Sequence, residues 1–464
     1  MPESWANLGI DLLIEPAGRH RRAGLERGLR DAIQSGRLRP GTPLPPSRTL
    51  ARDLGVARNT VAQAYAQLVA EGWLAARRGS GTRVADRVLA PAATEEAADA
   101  AARIRHDLRP GRPDVSMFPR AAWIGAARRA LAKAPDQALV YGDPRGPHEL
   151  RRALADYLGR VRGVRTTPDR IVVCSGFVQA LGLVCRVQRG RGARRIGVEA
   201  FGLPHHRGVA AACGLAVTPL PVDAGGAVLA GLADADVALL TPAHQFPLGV
   251  PLAPERRRLA VEWAAATDGL IVEDDYDGEF RYDRQAVGAM QALAPERVVY
   301  AGTASKSLAP GLRLGWLAAP AHLVADLTEA KRLADAGTGV LDALALAELL
   351  TSGIYDRHVR RCRLVYQRRR ERLVAILRRE VPEARIGGVA AGLHVLVELP
   401  ECVSEADVIE RAARNGLAVE GLDAYRFGAV AAHRPALVVG YATPPEHDFT
   451  TAVARLCAAI GAAG

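Results

Sequence analysis

"YAGTASKSLAPGLRLGW" (Tyr300–Trp316) holds Lys306, one of only three lysines in a chain of 464 residues; the others are Lys133 and Lys331. The other 58 of the 61 basic residues are arginines, so composition favours arginine wherever charge alone is needed. A lysine kept between Ser305 and Ser307 therefore points to chemistry closed to a guanidinium: its ε-amine condenses with an aldehyde to a Schiff base. Seven residues on, Arg313 is a natural phosphate partner, and Thr303 and Ser305 supply hydroxyls beside it. The apolar run "RVVYAG" reads as a buried strand, which places the lysine in the loop at its end.

Outward from this stretch, "RIVVCS", "RIGVE", "VALLTP" and "GLIVEDD" are further short apolar runs separated by helical stretches. That alternation predicts an α/β unit with a mainly parallel sheet covered by helices, spanning 107–464, whose strand-end loops carry the chemistry. "CSGFVQALGL" sets Ser175 and Gly176 between a strand and a helix, so the N–H groups of Phe177 and Val178 can cradle an anion at the positive helix end. "LIVEDDYDGEF" ends a buried strand on Glu273, Asp274 and Asp275, followed by Tyr276. Metal ligation is the rival reading of these carboxylates, but no histidine or further carboxylate motif accompanies them.

The net charge of +11 is concentrated at one end: residues 19–87 hold fourteen arginines against five acids. A compact basic module is the footprint of a phosphate-backbone binder. Leu25, Leu29 and Ile33 recur at helical spacing in a helix closed by Gly36, Ser47 is placed to cap a short helix that Gly55 ends, and a further helix starts near Arg58 with Val61, Tyr65 and Leu68 inward. After Gly72, "WLAARRGSGTRV" reads as two short strands around Gly79, Ser80 and Gly81. Helix, turn, helix and hairpin make a winged helix over residues 1–84. Its second helix presents Arg58, Asn59 and Thr60 to base edges, while Arg48 and Arg52 face phosphates and Arg77 and Arg78 sit on the wing. The alanine-rich 85–106 reads as a linker.

No apolar run is long enough for a membrane span, and the N-terminal stretch lacks a signal-peptide layout, so the expected location is the cytoplasm. Six scattered cysteines without CxxC spacing predict neither a zinc site nor a disulfide framework.

"IQSGRLRPGTPLPPSRTLARDLGVARNTVAQAYAQLVAEGWLAARRGSGTRV" resembles the DNA-binding domain of GntR-type bacterial repressors. "YGDPRGPHELRRALADYL", "CSGFVQAL", "TPAHQFPLGVPL", "VEDDYDGEFRY" and "YAGTASKSLAPGLRLGWLAAP" are similar to the fold type I aminotransferases, which use pyridoxal 5′-phosphate. Joined, the two halves resemble the MocR/GabR transcriptional regulators. The resemblance implies that Lys306 bonds the cofactor, Asp274 pairs with its pyridine nitrogen and Tyr276 with its ring hydroxyl, and Thr303, Ser305, Arg313 and the amides of Phe177 and Val178 take its phosphate. It also implies a homodimer on a double-stranded operator, with Tyr141 reaching the partner's cofactor phosphate and Arg207 binding effector.

Two departures bear on activity. Transaminases usually carry asparagine at the place of Phe246, so one hydrogen bond to the ring hydroxyl is missing. The strand in "RPALVVGYATP" has Val438 where relatives carry a carboxylate-binding arginine, although Arg426 or Arg434 could compensate. The expected effector is therefore pyridoxal phosphate itself, with an amino acid sensed through the cofactor as the alternative. The rival readings are an active aminotransferase with an appended DNA-binding head, and a DNA-binding protein whose second domain only dimerises.

Overall fold

Leu25, Leu29 and Ile33 lie one turn apart on helix α1 (Arg21–Gln34), and all three are buried, as the spacing predicts. The computed structural model describes residues 21–34, 37–77, 81–85, 104–282, 287–428 and 433–461. Strand β1 (Pro43–Leu44), helix α2 (Ser47–Asp53), helix α3 (Arg58–Ala70), and strands β2 (Leu74–Arg77) and β3 (Gly81–Val84) complete the first unit. The strands form a sheet in the order β1-β3-β2, antiparallel throughout. Val61, Tyr65 and Leu68 of α3 meet the α1 face in one apolar core. A guanidinium fork from Arg30 to Glu71, at 2.8 and 2.9 Å, ties α1 to the end of α3. Ser47 does not cap α2: Pro46 holds the cap position, and Ser47 is the first helical residue, with no side-chain cap bond. Gly55 follows the end of α2 at φ 62°, where a side chain would be strained. Gly36, Arg78, Gly79, Ser80 and most of 85–106 lie outside the described residues.

The chain forms two compact units, Met1–Ala98 and Asp99–Gly464. In the second, the apolar runs become strands β4 (Ile171–Cys174), β5 (Arg195–Glu199), β6 (Ala216–Leu220), β7 (Val237–Leu240), β8 (Leu270–Asp274), β9 (Val298–Thr303) and β10 (Gly315–Ala318). They form a seven-stranded sheet in the order β4-β10-β9-β8-β7-β5-β6. Only β10, which carries Trp316, runs antiparallel to its neighbours. Period-two alternation sends Ile171 and Val173 to one face with Tyr300 and Trp316, and Val172 and Cys174 to the other with Val198, Val272 and Val299. Each such side chain contributes about 1.5–3 kcal/mol when fully buried, which is why strands buried on both faces read as continuous apolar runs.

Helix α4 (Phe177–Gly190) leaves β4 through Gly176, and helix α5 (Ile354–Glu380) runs to a four-stranded antiparallel sheet. That sheet comprises β11 (Arg385–Gly387), β12 (His394–Glu398), β13 (Glu420–Gly421) and β14 (Ala436–Gly440), in the order β11-β12-β14-β13. All six cysteines are free thiols. No described helix is long and apolar enough to cross a membrane.

Candidate functional site

At the C-terminal ends of the parallel strands lies a cavity of about 560 Å³. Its lining includes Lys306, Asp274, Tyr276, Thr303, Ser305, Arg313, Phe177 and Val178, so the strand-end loops bring together all eight cofactor residues expected there. Tyr141 and Arg207 are not among the lining residues.

Lys306 sits in the turn after β9, and its Nζ donates to the Gly111 carbonyl. Burial pushes its amine below the usual lysine value, while Asp274 and Asp277 pull it back up. The turn is fixed from behind: the Ser307 hydroxyl pairs with Tyr355 at 2.6 Å, and the Ser307 carbonyl accepts from His358 Nε2 at 2.7 Å. Both partners belong to α5.

The carboxylates of "EDDYD" have separate tasks. Glu273 accepts from the amides of Met290 and Gln291 at 2.8 Å each, and burial pushes its carboxyl up to about 7. Asp275 receives Arg162 Nε at 2.7 Å and the Tyr300 hydroxyl at 2.8 Å, with both members of the ion pair nearly fully buried. Asp274 alone lines the cavity. Its Oδ1 is buried without a hydrogen-bond partner, and burial holds the carboxyl well above the usual range. Glu273, Asp274 and Asp275 thus turn to different partners, and their oxygens are not among the described groups that converge on a common point.

The anion cradle is equally specific. Gly176 precedes α4 at φ 84°, and a Cβ there would fall 2.9 Å from the Arg313 guanidinium. The left-handed φ favours glycine here, and a side chain would also displace the Arg313 guanidinium from its place beside the loop. Arg313, itself left-handed at φ 52°, donates to the Ser175 carbonyl from across the loop. The first N–H groups of α4 have no intrahelical partner and face an anion-favouring dipole. Ser175 N donates to Gln179 Oε1 at 2.7 Å, and Gln179 in turn donates to Asp335 at 2.6 Å. Asp335 is clasped by Lys331, whose side chain is fully buried. Lys331, the last of the three lysines, is thus linked to the cradle through Asp335 and Gln179.

Asp274 supplies an orphaned buried carboxylate oxygen for a protonated pyridine nitrogen, Lys306 an amine for an aldehyde, and Arg313, Thr303, Ser305 and the α4 amides a cradle for a phosphate. These residues fit pyridoxal 5′-phosphate, which brings an electron-withdrawing ring when bound.

Arg207 does not line the cavity but borders it, next to the lining residues His205 and His206. Its guanidinium donates to the carbonyls of Gly202, Tyr425 and Arg426 and stacks over Phe427, 4.9 Å from the ring centroid. Val438 on β14 is fully buried in an apolar cluster with Phe246, Leu396 and Tyr425. Its cross-strand partners are Leu396 and Glu420, and Glu420 lines the cavity while accepting a hydrogen bond from the Tyr425 hydroxyl. Arg426 pairs with Asp423 at 3.1 Å, and Arg434 Nε lies 3.7 Å from Glu401.

Sequence reasoning missed Glu420, Arg112, Thr241 and the paired His205 and His206, all of which line the cavity. It also missed a buried pair beneath Tyr276: His244 Nδ1 stands 2.8 Å from Asp277 Oδ2 and 3.2 Å from the Tyr276 hydroxyl. The signal was present in "HQFPLG" and "EDDYD", but nothing in either run shows that they meet.

In the first unit, Arg58 and Asn59 are exposed in the opening turn of α3, with Thr60 half-buried. Arg48 and Arg52 are exposed on α2, and Arg52 Nε is 3.6 Å from Asp53. Arg77 ends β2, whereas Arg78 lies outside the described residues.

Comparison with known proteins matches residues 22–84 to the bacterial regulatory proteins of the gntR family and residues 112–422 to the class I and II aminotransferases. The pyridoxine biosynthesis transcriptional regulator PdxR of Corynebacterium glutamicum is 33% identical, covering 94% of this chain and 95% of that one. The probable rhizopine catabolism regulatory protein MocR of Rhizobium meliloti is 32% identical over 83% of each chain. Among solved structures, the kynurenine aminotransferase of Pyrococcus horikoshii superposes with a TM-score of 0.70 at 25% identity, over 82% of this chain and 96% of that one. With a gntR-type head, an aminotransferase-type unit whose residues fit pyridoxal phosphate, and full-length relatives of the same composite build, the chain belongs to the MocR-type family of pyridoxal-phosphate-dependent transcriptional regulators.

Proposed function

We propose that the effector of this regulator is pyridoxal phosphate itself, and that the fraction of Lys306 carrying it is the signal passed to the DNA-binding unit. The observation that carries this reading is that Val438, fully buried in the apolar cluster with Phe246 and Tyr425, puts no cation behind the cavity, while its strand partner Glu420 lines it. An amino-acid effector would bring its carboxylate to a place where a valine offers no hydrogen bond and the neighbouring strand offers a negative charge. Leaving such a charge desolvated and unpaired costs several kcal/mol. The relative named for pyridoxine biosynthesis supports the same reading. Arg112, exposed at the cavity, favours the amino-acid alternative. Titrating operator binding by cofactor-free protein separates the two. A change on adding pyridoxal phosphate alone is expected; no change with the cofactor, followed by a change with an amino acid, overturns the proposal.

The regulator works as a cytoplasmic homodimer on paired half-sites. Exposed Ile124, Leu131, Leu139, Val140 and Leu341 support a partner surface, and Tyr141, 95% exposed, is free to reach the partner's phosphate cradle. A residual transamination half-reaction fits this reading, and turnover of amino-acid and keto-acid pairs would favour the alternative, an active aminotransferase with an appended DNA-binding head. On DNA, Arg58, Asn59 and Thr60 read bases, Arg48 and Arg52 hold phosphates, and Arg77 and Arg78 follow the wing. Arg58→Ala is expected to cost about 1–3 kcal/mol at the operator and relax specificity at one position. Arg52→Ala should weaken all DNA about equally and lower the salt slope by about one. Fluorescence anisotropy across a salt series measures both effects; unchanged binding by both variants would move the DNA-binding face elsewhere.

A further inference from the structure

We propose that His244, held by Asp277, is a positioning residue for Tyr276: it occupies the carboxylate that would otherwise take the phenol's proton, leaving that proton free to point into the cavity. This rests on Tyr276 meeting the ring hydroxyl of pyridoxal phosphate.

The proton count follows from the acceptors. A carboxylate oxygen accepts, so the 2.8 Å contact from Asp277 Oδ2 assigns the hydrogen to His244 Nδ1. The same Nδ1 lies 3.2 Å from the phenol oxygen, so Tyr276 receives there rather than donates. Asp277 Oδ2 and the Tyr276 phenol oxygen both lie within hydrogen-bond distance of this one nitrogen, which makes Asp277 the phenol's neighbouring acceptor. Without the imidazole, Asp277 becomes the acceptor for the phenol's proton and draws it away from the cavity. Phe246, which also lines the cavity with its ring 6.1 Å from that of Tyr276, offers no hydrogen-bond donor beside it.

The dyad has a built setting. His244 and Asp277 are 3% and 2% exposed. A Cβ at Gly392, which adopts φ 72°, would fall within 2.5 Å of Asp277 Oδ2 and collide with the imidazole. His394 stacks on His244 with centroids 5.1 Å apart and donates from Nε2 to the Pro247 carbonyl at 3.1 Å. The charged and titratable groups acting on this cluster are Asp274 and Lys306 at the cavity, Glu199 on β5, Glu279 and Tyr282 after β8, His394 on β12 and Tyr441 after β14.

The test follows the visible absorbance of the full-length, cofactor-loaded protein against pH. A hydroxyl donating toward the ring hydroxyl favours its anionic form, so withdrawing the donor lets the protonated form persist to higher pH. His244→Phe is expected to raise the titration midpoint by about one unit, a tenfold change in proton affinity. His244→Asn, whose amide N–H occupies the Nδ1 position, should restore it; His244→Gln, with its donor at the Nε2 position, should not. Asp277→Asn should lower the midpoint, since the charge that raises the Lys306 amine is gone and the phenol loses its competing acceptor. A merely structural role would reduce stability and cofactor retention without moving the midpoints in opposite directions. Coincident midpoints for the Asn and Gln variants, or a wild-type midpoint in Asp277→Asn, overturn the proposal even where the Phe variant does not fold. A wild type with no lysine-bound absorbance overturns the cofactor assignment as well, whereas an intact wild-type titration with unshifted variants removes the positioning role alone.

Discussion

A Lys306→Arg protein should fold, keep a positive charge beside Asp274, and take up no covalently bound pyridoxal phosphate. Only a primary amine condenses with the aldehyde, and a guanidinium remains protonated and bonded through its own delocalised system. Borohydride reduction followed by intact-mass measurement checks this. The wild type should gain one fixed cofactor mass, and the variant none. A retained increment in the arginine variant would place the covalent bond elsewhere. Operator binding by this variant should no longer respond to pyridoxal phosphate, which tests the signalling proposal through the same substitution.

The second large effect is on stability. Arg162→Met should cost about 3–5 kcal/mol, because it removes the guanidinium hydrogen-bonded to a buried carboxylate, and Arg257, the other cation acting on Asp275, makes no hydrogen bond to it. Asp275 is 4% exposed, and its remaining partner, the Tyr300 hydroxyl, is a neutral donor. The loss should appear as a lower denaturant midpoint for the large unit. A double variant, Arg162→Met with Asp275→Leu, should recover much of it, since replacing both members of a buried pair by apolar groups is often close to neutral. Equal stability of the single variant and the wild type would mean that water or another cation reaches Asp275. Because Asp275 holds the turn that aims Asp274 into the cavity, cofactor retention should fall alongside stability in the single variant.

The parts legible in the sequence were those where one residue type answers one chemical need nearby in the chain. Lys306, Arg313, Thr303 and Ser305 fall within eleven residues, and Gly176 precedes α4 as the strand-to-helix turn required. The α3 start at Arg58 and its inward Val61, Tyr65 and Leu68 likewise follow from local periodicity. Contacts between distant segments were not legible. Arg162 and Asp275 are 113 residues apart, and His244 and Asp277 are 33 apart. A run of three acids cannot show that one carboxylate binds amides, one an arginine and one faces a cavity. Ser47 was assigned a cap from its residue type, but the backbone leaves the preceding proline at that position. The role expected of Arg207 came from a motif match, while the structure gives its guanidinium to backbone carbonyls.

The scarcity of lysine, and the burial of Lys331 beneath the phosphate cradle, turn the chain into its own occupancy gauge. A lysine-specific endoprotease acting on the unfolded chain has three cleavage points and yields residues 1–133, 134–306, 307–331 and 332–464. Reduced cofactor on Lys306 blocks the middle cut and fuses the two central pieces into 134–331. Exposed Lys133 and sequestered Lys331 are cut regardless of loading, so the ratio of fused to separate peptides counts loaded molecules against two internal standards. Peptide mapping of protein taken directly from cells can thus report how much of the regulator is charged at a given vitamin supply.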